Sequence, residues 1–271
     1  MSGRPGGPSG PGAAARPLPD PQALAHLVPP EEVAICFGGG GDFLRLGLNM
    51  LRRMVDWADL RPTDRFLDVG CGAGRAAVPL THWLDPQTPY LGFDVFALGL
   101  DWCRDHITPR HPNFRFERVD VLNRLYNPAG RILPRDFTFP CADAGVDLVL
   151  LNSVFTHMLP EDMVRYLHEI ARVLAPGGRA YLTWFLLDEA TEARMRANPR
   201  EVHFTKRFGP FWVQNVADME EAVAYDRAFA LGCLAQAGLT ADEPRPGHWP
   251  GKAGGRGAGG NFQDVIVAWK P

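Results

Sequence analysis

In Phe66-Leu67-Asp68-Val69-Gly70-Cys71-Gly72-Ala73-Gly74-Arg75, an apolar run carrying one carboxylate passes directly into three alternating glycines. The run reads as a short strand and the glycines as the tight turn that leaves it. Glycine lets the backbone turn sharply and lets a ligand approach without a Cβ in the way. A helix is expected next, its free N–H groups facing an anionic or carboxylate-bearing ligand. The dinucleotide fingerprint G-x-G-x-x-G fails, because Arg75 stands where its third glycine belongs. A nicotinamide-dependent oxidoreductase is disfavoured on that ground.

Downstream, strand-like and helix-like stretches alternate. Tyr90-Leu91-Gly92-Phe93 reads as a second strand, Phe114 to Val119 as a third, and Val146 to Leu151 as a fourth, buried on both faces. A helix starts at Pro160, where a missing N–H costs nothing, with Glu161 and Asp162 at its positive end. Its core stripe is Val164, Leu167, Ile170, Ala171 and Leu174, Pro176-Gly177-Gly178 is expected to stop it, and Tyr181 to Phe185 forms a fifth strand. Such alternation implies right-handed βαβ units and a parallel sheet covered by helices on both faces. Phe262 to Trp269 reads as a last strand, entered through a glycine-rich loop (Gly251 to Gly260) and expected to lie antiparallel at the sheet edge. Upstream, Phe43 to Trp57 has helical spacing, with Asp42 at the N-cap position.

The strand ends carry the polar residues. Asp94 closes the second strand, 24 residues after Gly70 (94 − 70). In a doubly wound sheet that position lies beside the first loop, where a carboxylate can accept both hydroxyls of a ribose. Asp120 and Val121 follow the third strand, the carboxylate a candidate acceptor for an adenine amine and Val121 a backbone donor. Asn152 follows the fourth and faces the same crevice.

Taken together, FLDVGCGAGR, YLGFDV, VDVLN, DLVLLNSVFTHM and RVLAPGGRAYLTW resemble the class I S-adenosylmethionine-dependent methyltransferases, in order and at family spacing. The resemblance is firm over residues 40–185 and extends to FQDVIVAWK, which is similar to the family's last strand. It implies a seven-stranded, Rossmann-like α/β sheet of order 3-2-1-4-5-7-6 with the seventh strand antiparallel. It also implies S-adenosyl-L-methionine as cofactor, with Asp68, Gly70, Gly72 and Gly74 at the methionine moiety. Asp94 would then take the ribose, Asp120 with Val121 the adenine, and Asn152 the methionine side. Cys71 is a common occupant of its motif slot.

Methyl transfer asks the protein to align a nucleophile and exclude water, and a hydroxyl acceptor also benefits from a general base. His157, five residues past the fourth strand, is the candidate base; the competing reading has it bonding backbone in the strand-to-helix loop. His203 is a second candidate, while Tyr225 and Asp226 read better as packing and capping residues. Residues 187–224 follow the fifth strand as a substrate-lid insertion. Its Phe204, Phe208, Phe211 and Trp212 line an acceptor pocket or form the lid's own core. Residues 126–139, between the third and fourth strands, are also aromatic and proline-rich.

The rest of the composition narrows the function. The 271 residues, with Lys+Arg 28 against Asp+Glu 31 and 46% hydrophobic residues, can bury a sizeable core. No Lys/Arg run speaks for nucleic acid, and no apolar stretch approaches the roughly 20 residues of a membrane helix. Five scattered cysteines without a CxxC pair argue against a disulfide framework or metal site and for a reducing, cytoplasmic setting. Residues 1–22, rich in Pro, Gly and Ala, are expected to be a disordered tail. Residues 23–271 are expected to form one domain, capped by helices over about 23–60. The expected acceptor is a small molecule, with the hydroxyl of a sugar or natural product favoured. A protein or peptide methyltransferase, or a cofactor-binding protein without catalysis, remains the alternative.

Overall fold

Strands buried on both faces need neighbours on both edges and helices above and below, and the computed structural model arranges the chain that way. It describes residues 16–37, 42–198, 202–251 and 261–271. The chain begins with α1 (Pro21–Leu24), α2 (Glu31–Ala34) and α3 (Phe43–Ala58), then enters β1 (Phe66–Val69). It continues through α4 (Ala77–Trp83), β2 (Tyr90–Asp94), α5 (Ala97–His106), β3 (Phe114–Arg118), β4 (Val146–Leu151) and α6 (Pro160–Val173). After β5 (Leu174–Trp184) come β6 (Leu186–Leu187), α7 (Glu189–Ala197), β7 (Lys206–Phe208), β8 (Phe211–Val213) and β9 (Val223–Asp226). The last elements are α8 (Arg227–Gln236), β10 (Thr240–Ala241) and β11 (Asp264–Trp269).

The main sheet has seven strands in the order β10-β11-β5-β4-β1-β2-β3. β1 to β5 run parallel and β11 runs antiparallel to β5. This is the expected order 3-2-1-4-5-7-6, with β11 as the seventh strand in that scheme and β10 as the sixth. Alternation along the strands divides the core. Phe66, Leu148 and Leu150 pack with Leu51, Met54 and Leu80 on one side. Leu67, Val69, Val149 and Leu151 pack with Leu167, Ile170 and Leu234 on the other.

Several local expectations need correcting. α6 buries Met163, Tyr166, Leu167, Ile170 and Val173, a stripe rotated from the expected one, so Val164 and Ala171 are only half-buried. Pro176-Gly177-Gly178 does not separate helix from strand. α6 ends at Val173, and the three residues form an irregularity inside β5, where the register against β4 shifts. Gly177 has φ +75° and its N–H donates to the Lys270 carbonyl at 2.8 Å, which a residue with a Cβ would do only under strain. β11 lies one strand in from the edge, which β10 occupies; residues 252–260 of the glycine-rich loop lie outside the described residues. Of the expected tail, residues 1–15 also lie outside them. Arg16 already donates to the Trp83 carbonyl at 2.7 Å, and Pro21 starts a helix capped by Asp20.

The insertion builds a second sheet, β6-β9-β8-β7, over a small core of Phe185, Leu187, Met195, Phe204, Trp212 and Trp249. The buried Asp264 carboxylate ties it to β11 by accepting from Leu186 N, Gly247 N and Trp249 Nε1 at 2.7–2.8 Å.

Candidate functional site

The parallel register brings three strand ends level. Val69 lies beside Phe93 of β2 and Leu151 of β4. The next residues, Gly70, Asp94 and Asn152, therefore emerge together at one edge of the sheet, over a cavity of about 710 Å³ that all three line. That size suits a small-molecule site.

The loop after β1 is held by its glycines and by Asp94. Gly70, Gly72 and Gly74 have φ of +74°, +54° and +80°, a region open to glycine and costly for most other residues. The helix expected at once starts only at Ala77, so the loop itself faces the cavity. The Asp94 carboxylate accepts from Gly72 N at 2.8 Å and from Phe96 N at 3.0 Å. It thus orients the loop as well as lining the cavity, a role that sequence position did not reveal. Burial pushes its pKa up against those backbone donors. Asp68 is almost fully buried and accepts from the Tyr90 hydroxyl at 2.6 Å; burial pushes its pKa up to about 7, with the Asp94 charge adding to the rise. From the other side, α3 presses against this loop. A Cβ on Gly47 would lie 2.4 Å from the Arg75 carbonyl oxygen, so only glycine permits that approach.

The third strand end departs from expectation at one residue. Val119 and Val121 line the cavity, and alternation turns Asp120, between them, away from it. The Asp120 carboxylate pairs with Arg131 Nε at 2.5 Å, which holds its pKa below the usual carboxylate value. Asn123, two residues past Val121, reaches the cavity instead. At the fourth strand end, Ser153 has φ +59°, unusual for a residue with a side chain. It is held there by its N–H to Thr183 Oγ1 (2.7 Å) and its Oγ to Gln263 Oε1 (3.1 Å), which places neighbouring Asn152 on the wall.

His157 also lines the cavity, in the turn Phe155–His157 before α6. Its Nδ1 lies 3.0 Å from the Glu220 carbonyl oxygen. A carbonyl only accepts, so Nδ1 carries the hydrogen and Nε2 of the neutral ring is left as an acceptor. Both sequence readings of His157 are thus combined, since the backbone bond selects the tautomer a base would need. His203 is not on the wall and bonds the Asn198 carbonyl through Nε2 at 3.1 Å. Tyr225 is buried and donates to the Met158 carbonyl, while Asp226 caps α8 by accepting from Phe229 N. Phe204 and Trp212 belong to the insertion's core, and neither they nor Phe208 and Phe211 line the cavity. The insertion instead contributes Val202, Gln214, Glu220, Glu221 and Ala222. No pattern in the sequence marks Glu220, because it acts on His157 through its backbone.

Comparison with known proteins fits this geometry. A family model described as a methyltransferase domain matches residues 67–182. The 27-O-demethylrifamycin SV methyltransferase of Amycolatopsis mediterranei is 30% identical over 135 residues, which cover 50% of this chain and 43% of that protein. Phosphoethanolamine N-methyltransferase 3 of Arabidopsis thaliana is 21% identical over 229 residues, covering 83% and 42%. The chain therefore spans less than half the length of these two relatives. A crystal structure of a SAM-dependent methyltransferase from Methanosarcina mazei matches with a TM-score of 0.51 at 19% identity, over 80% of this chain and 96% of that one. That likeness is one of fold.

Proposed function

We propose that this chain, whose residues 67–182 form a methyltransferase domain of the class I S-adenosylmethionine-dependent family, methylates a hydroxyl of a small molecule such as a sugar or natural product. The residues present suit the cofactor. Side-chain-free backbone at Gly70 and Gly72 lines the cavity, as do the Asp68 and Asp94 carboxylates, Val121 and Asn152. Gly74 shapes the same loop: a Cβ there would lie 2.8 Å from Cys103 Sγ. Asp68 with the loop and Asn152 would hold the methionine part, Asp94 the ribose and Val121 the adenine. Asp120 is not carried over, because it faces Arg131. When bound, S-adenosylmethionine supplies a methyl group bonded to a positively charged sulfur; the acceptor oxygen forms the new C–O bond while the C–S electrons stay on sulfur.

The chain's own part is orientation and proton removal. His157 Nε2 takes the hydroxyl proton, and the Glu220 carbonyl holds the ring in the accepting tautomer. That single bond carries the reading. The insertion serves as the acceptor-side lid, and α1 to α3 as a cap over the cofactor loop. The five free cysteines suit a reducing compartment such as the cytoplasm.

His157→Ala tests it in an assay with methyl-labelled cofactor and a panel of hydroxylated acceptors. The rate should fall by roughly 100-fold or more, with affinity for S-adenosylhomocysteine unchanged. The acidic limb of the pH–rate profile should disappear, because only the neutral ring accepts a proton. Full activity in the variant would overturn the assignment of His157 as base.

A further inference from the structure

The part of the cavity beyond the cofactor loops has a one-sided charge. Asp162 from the first turn of α6 and Glu220 from the insertion line it, with Glu221 alongside. The arginines on the cavity wall, Arg53 and Arg75, stand on α3 and the loop after β1, and among the described residues no lysine or arginine joins the wall beside Asp162 and Glu220. Arg135 lies near Asp162 but is paired with Glu161 at 3.3 Å, outside the lining. Arg124 attracts Glu220 from an exposed position off the wall. Burial pushes the pKa of both carboxyls up, and each responds to further acids nearby, Asp162 acting on Glu220 and Glu161 on Asp162. A second, independent feature is aromatic: Tyr126 and Tyr166 line the same cavity. Carboxylates beside aromatic rings form a cation-recognition set, because ring faces and anions both favour positive charge.

From this wall we infer that the acceptor is an amine-bearing hydroxyl compound, held as its ammonium by Asp162 and Glu220. The inference rests on the hydroxyl-methylation reading for the role of His157. An ammonium paired with carboxylates has no lone pair, so it serves as the handle, and the nucleophile is a hydroxyl elsewhere on the same molecule. A phosphate-bearing acceptor would meet like charge and no lining cation at this end.

The test uses the full chain saturated with S-adenosylhomocysteine and a set of amino-sugar glycosides. Each is compared with its N-acetylated counterpart and with its phosphorylated counterpart. Calorimetry reads binding; mass spectrometry with methyl-labelled cofactor reads transfer and its position. The free amine should bind at least tenfold more tightly than the acetylated or phosphorylated form. Glu220→Gln and Asp162→Asn, with thermal melts as the folding control, should each weaken amine binding about tenfold and leave S-adenosylhomocysteine affinity unchanged. Equal or better binding of the acetylated or phosphorylated members would overturn the charge assignment, as would no binding of any amine or methyl transfer to the amine nitrogen. Tight amine binding without any methyl transfer would uphold the charge assignment and overturn the hydroxyl-methylation reading.

Discussion

Two aspartates at successive strand ends show how one residue's facing decides its role. Asp94 accepts from Gly72 N and Phe96 N and lines the cavity, whereas Asp120 faces outward to Arg131. Asp94→Ala should weaken S-adenosylhomocysteine binding at least tenfold, about 1.4 kcal/mol, and should also lower the melting temperature by loosening the loop. Asp120→Ala should change affinity less than twofold, because an exposed ion pair is worth little. Calorimetry on both variants checks this, and a reversed ranking would contradict the placement of the two carboxylates. Asp68 makes a different prediction. Its pKa stands near 7 in the fold against an ordinary 3.8, so the folded chain binds that proton more tightly than the unfolded chain. Folding stability from this residue is then present below pH ~4 and declines as pH rises towards 7, by about 4 kcal/mol at most. Asp68→Asn, which keeps an acceptor for Tyr90, should lose that decline. Urea titrations of ligand-free protein at pH 5 and 7.5 should show a smaller pH effect in the variant than in the wild type; equal effects would contradict a buried, proton-holding Asp68.

Among the elements, α3 and the insertion position what the sheet does not. Gly47 lets α3 press on the Arg75 carbonyl. Alanine there gains helix propensity worth about 1 kcal/mol, but its Cβ would lie 2.4 Å from that oxygen, and such overpacking costs about 1–3 kcal/mol. Gly47→Ala should therefore lower the melting temperature and weaken cofactor binding; a stabilised variant that binds normally would mean that α3 does not seat on the loop. The contrast between core and insertion explains what could be read beforehand. β1, β2 and β4 have long enough apolar runs, and Asp94 and Asn152 follow them directly, so the doubly wound frame locates these residues. Asp120 was misjudged because the chain past β3 keeps alternating sides, which a count from the strand end does not register. β7 and β8 have three residues each, too few for any period to show. Their aromatic residues look the same in sequence whether they fill a pocket or, as with Phe204 and Trp212, a lid's own core. Glu220 carried no signal because its carbonyl, common to every residue, makes the bond to His157.

At the scale of the whole molecule, the parallel strands deliver one wall and the insertion delivers the opposite one. The first comprises Asp68, the loop after β1, Asp94, Val121 and Asn152; the second comprises Glu220 and its neighbours, with His157 bonded across to it. Among the described residues no helix is long and apolar enough to cross a membrane. Ligand affinity therefore depends on the sheet keeping its three strand ends level and on the insertion staying docked through Asp264. All of it presumes that the cavity takes S-adenosylmethionine. The most direct test is a calorimetric titration of the full-length protein with S-adenosylhomocysteine, with NAD as the competitor nucleotide. The account predicts one site per chain with micromolar or tighter affinity, about −8 kcal/mol or better, and no heat from NAD. No binding of S-adenosylhomocysteine, or equal binding of NAD, would contradict it.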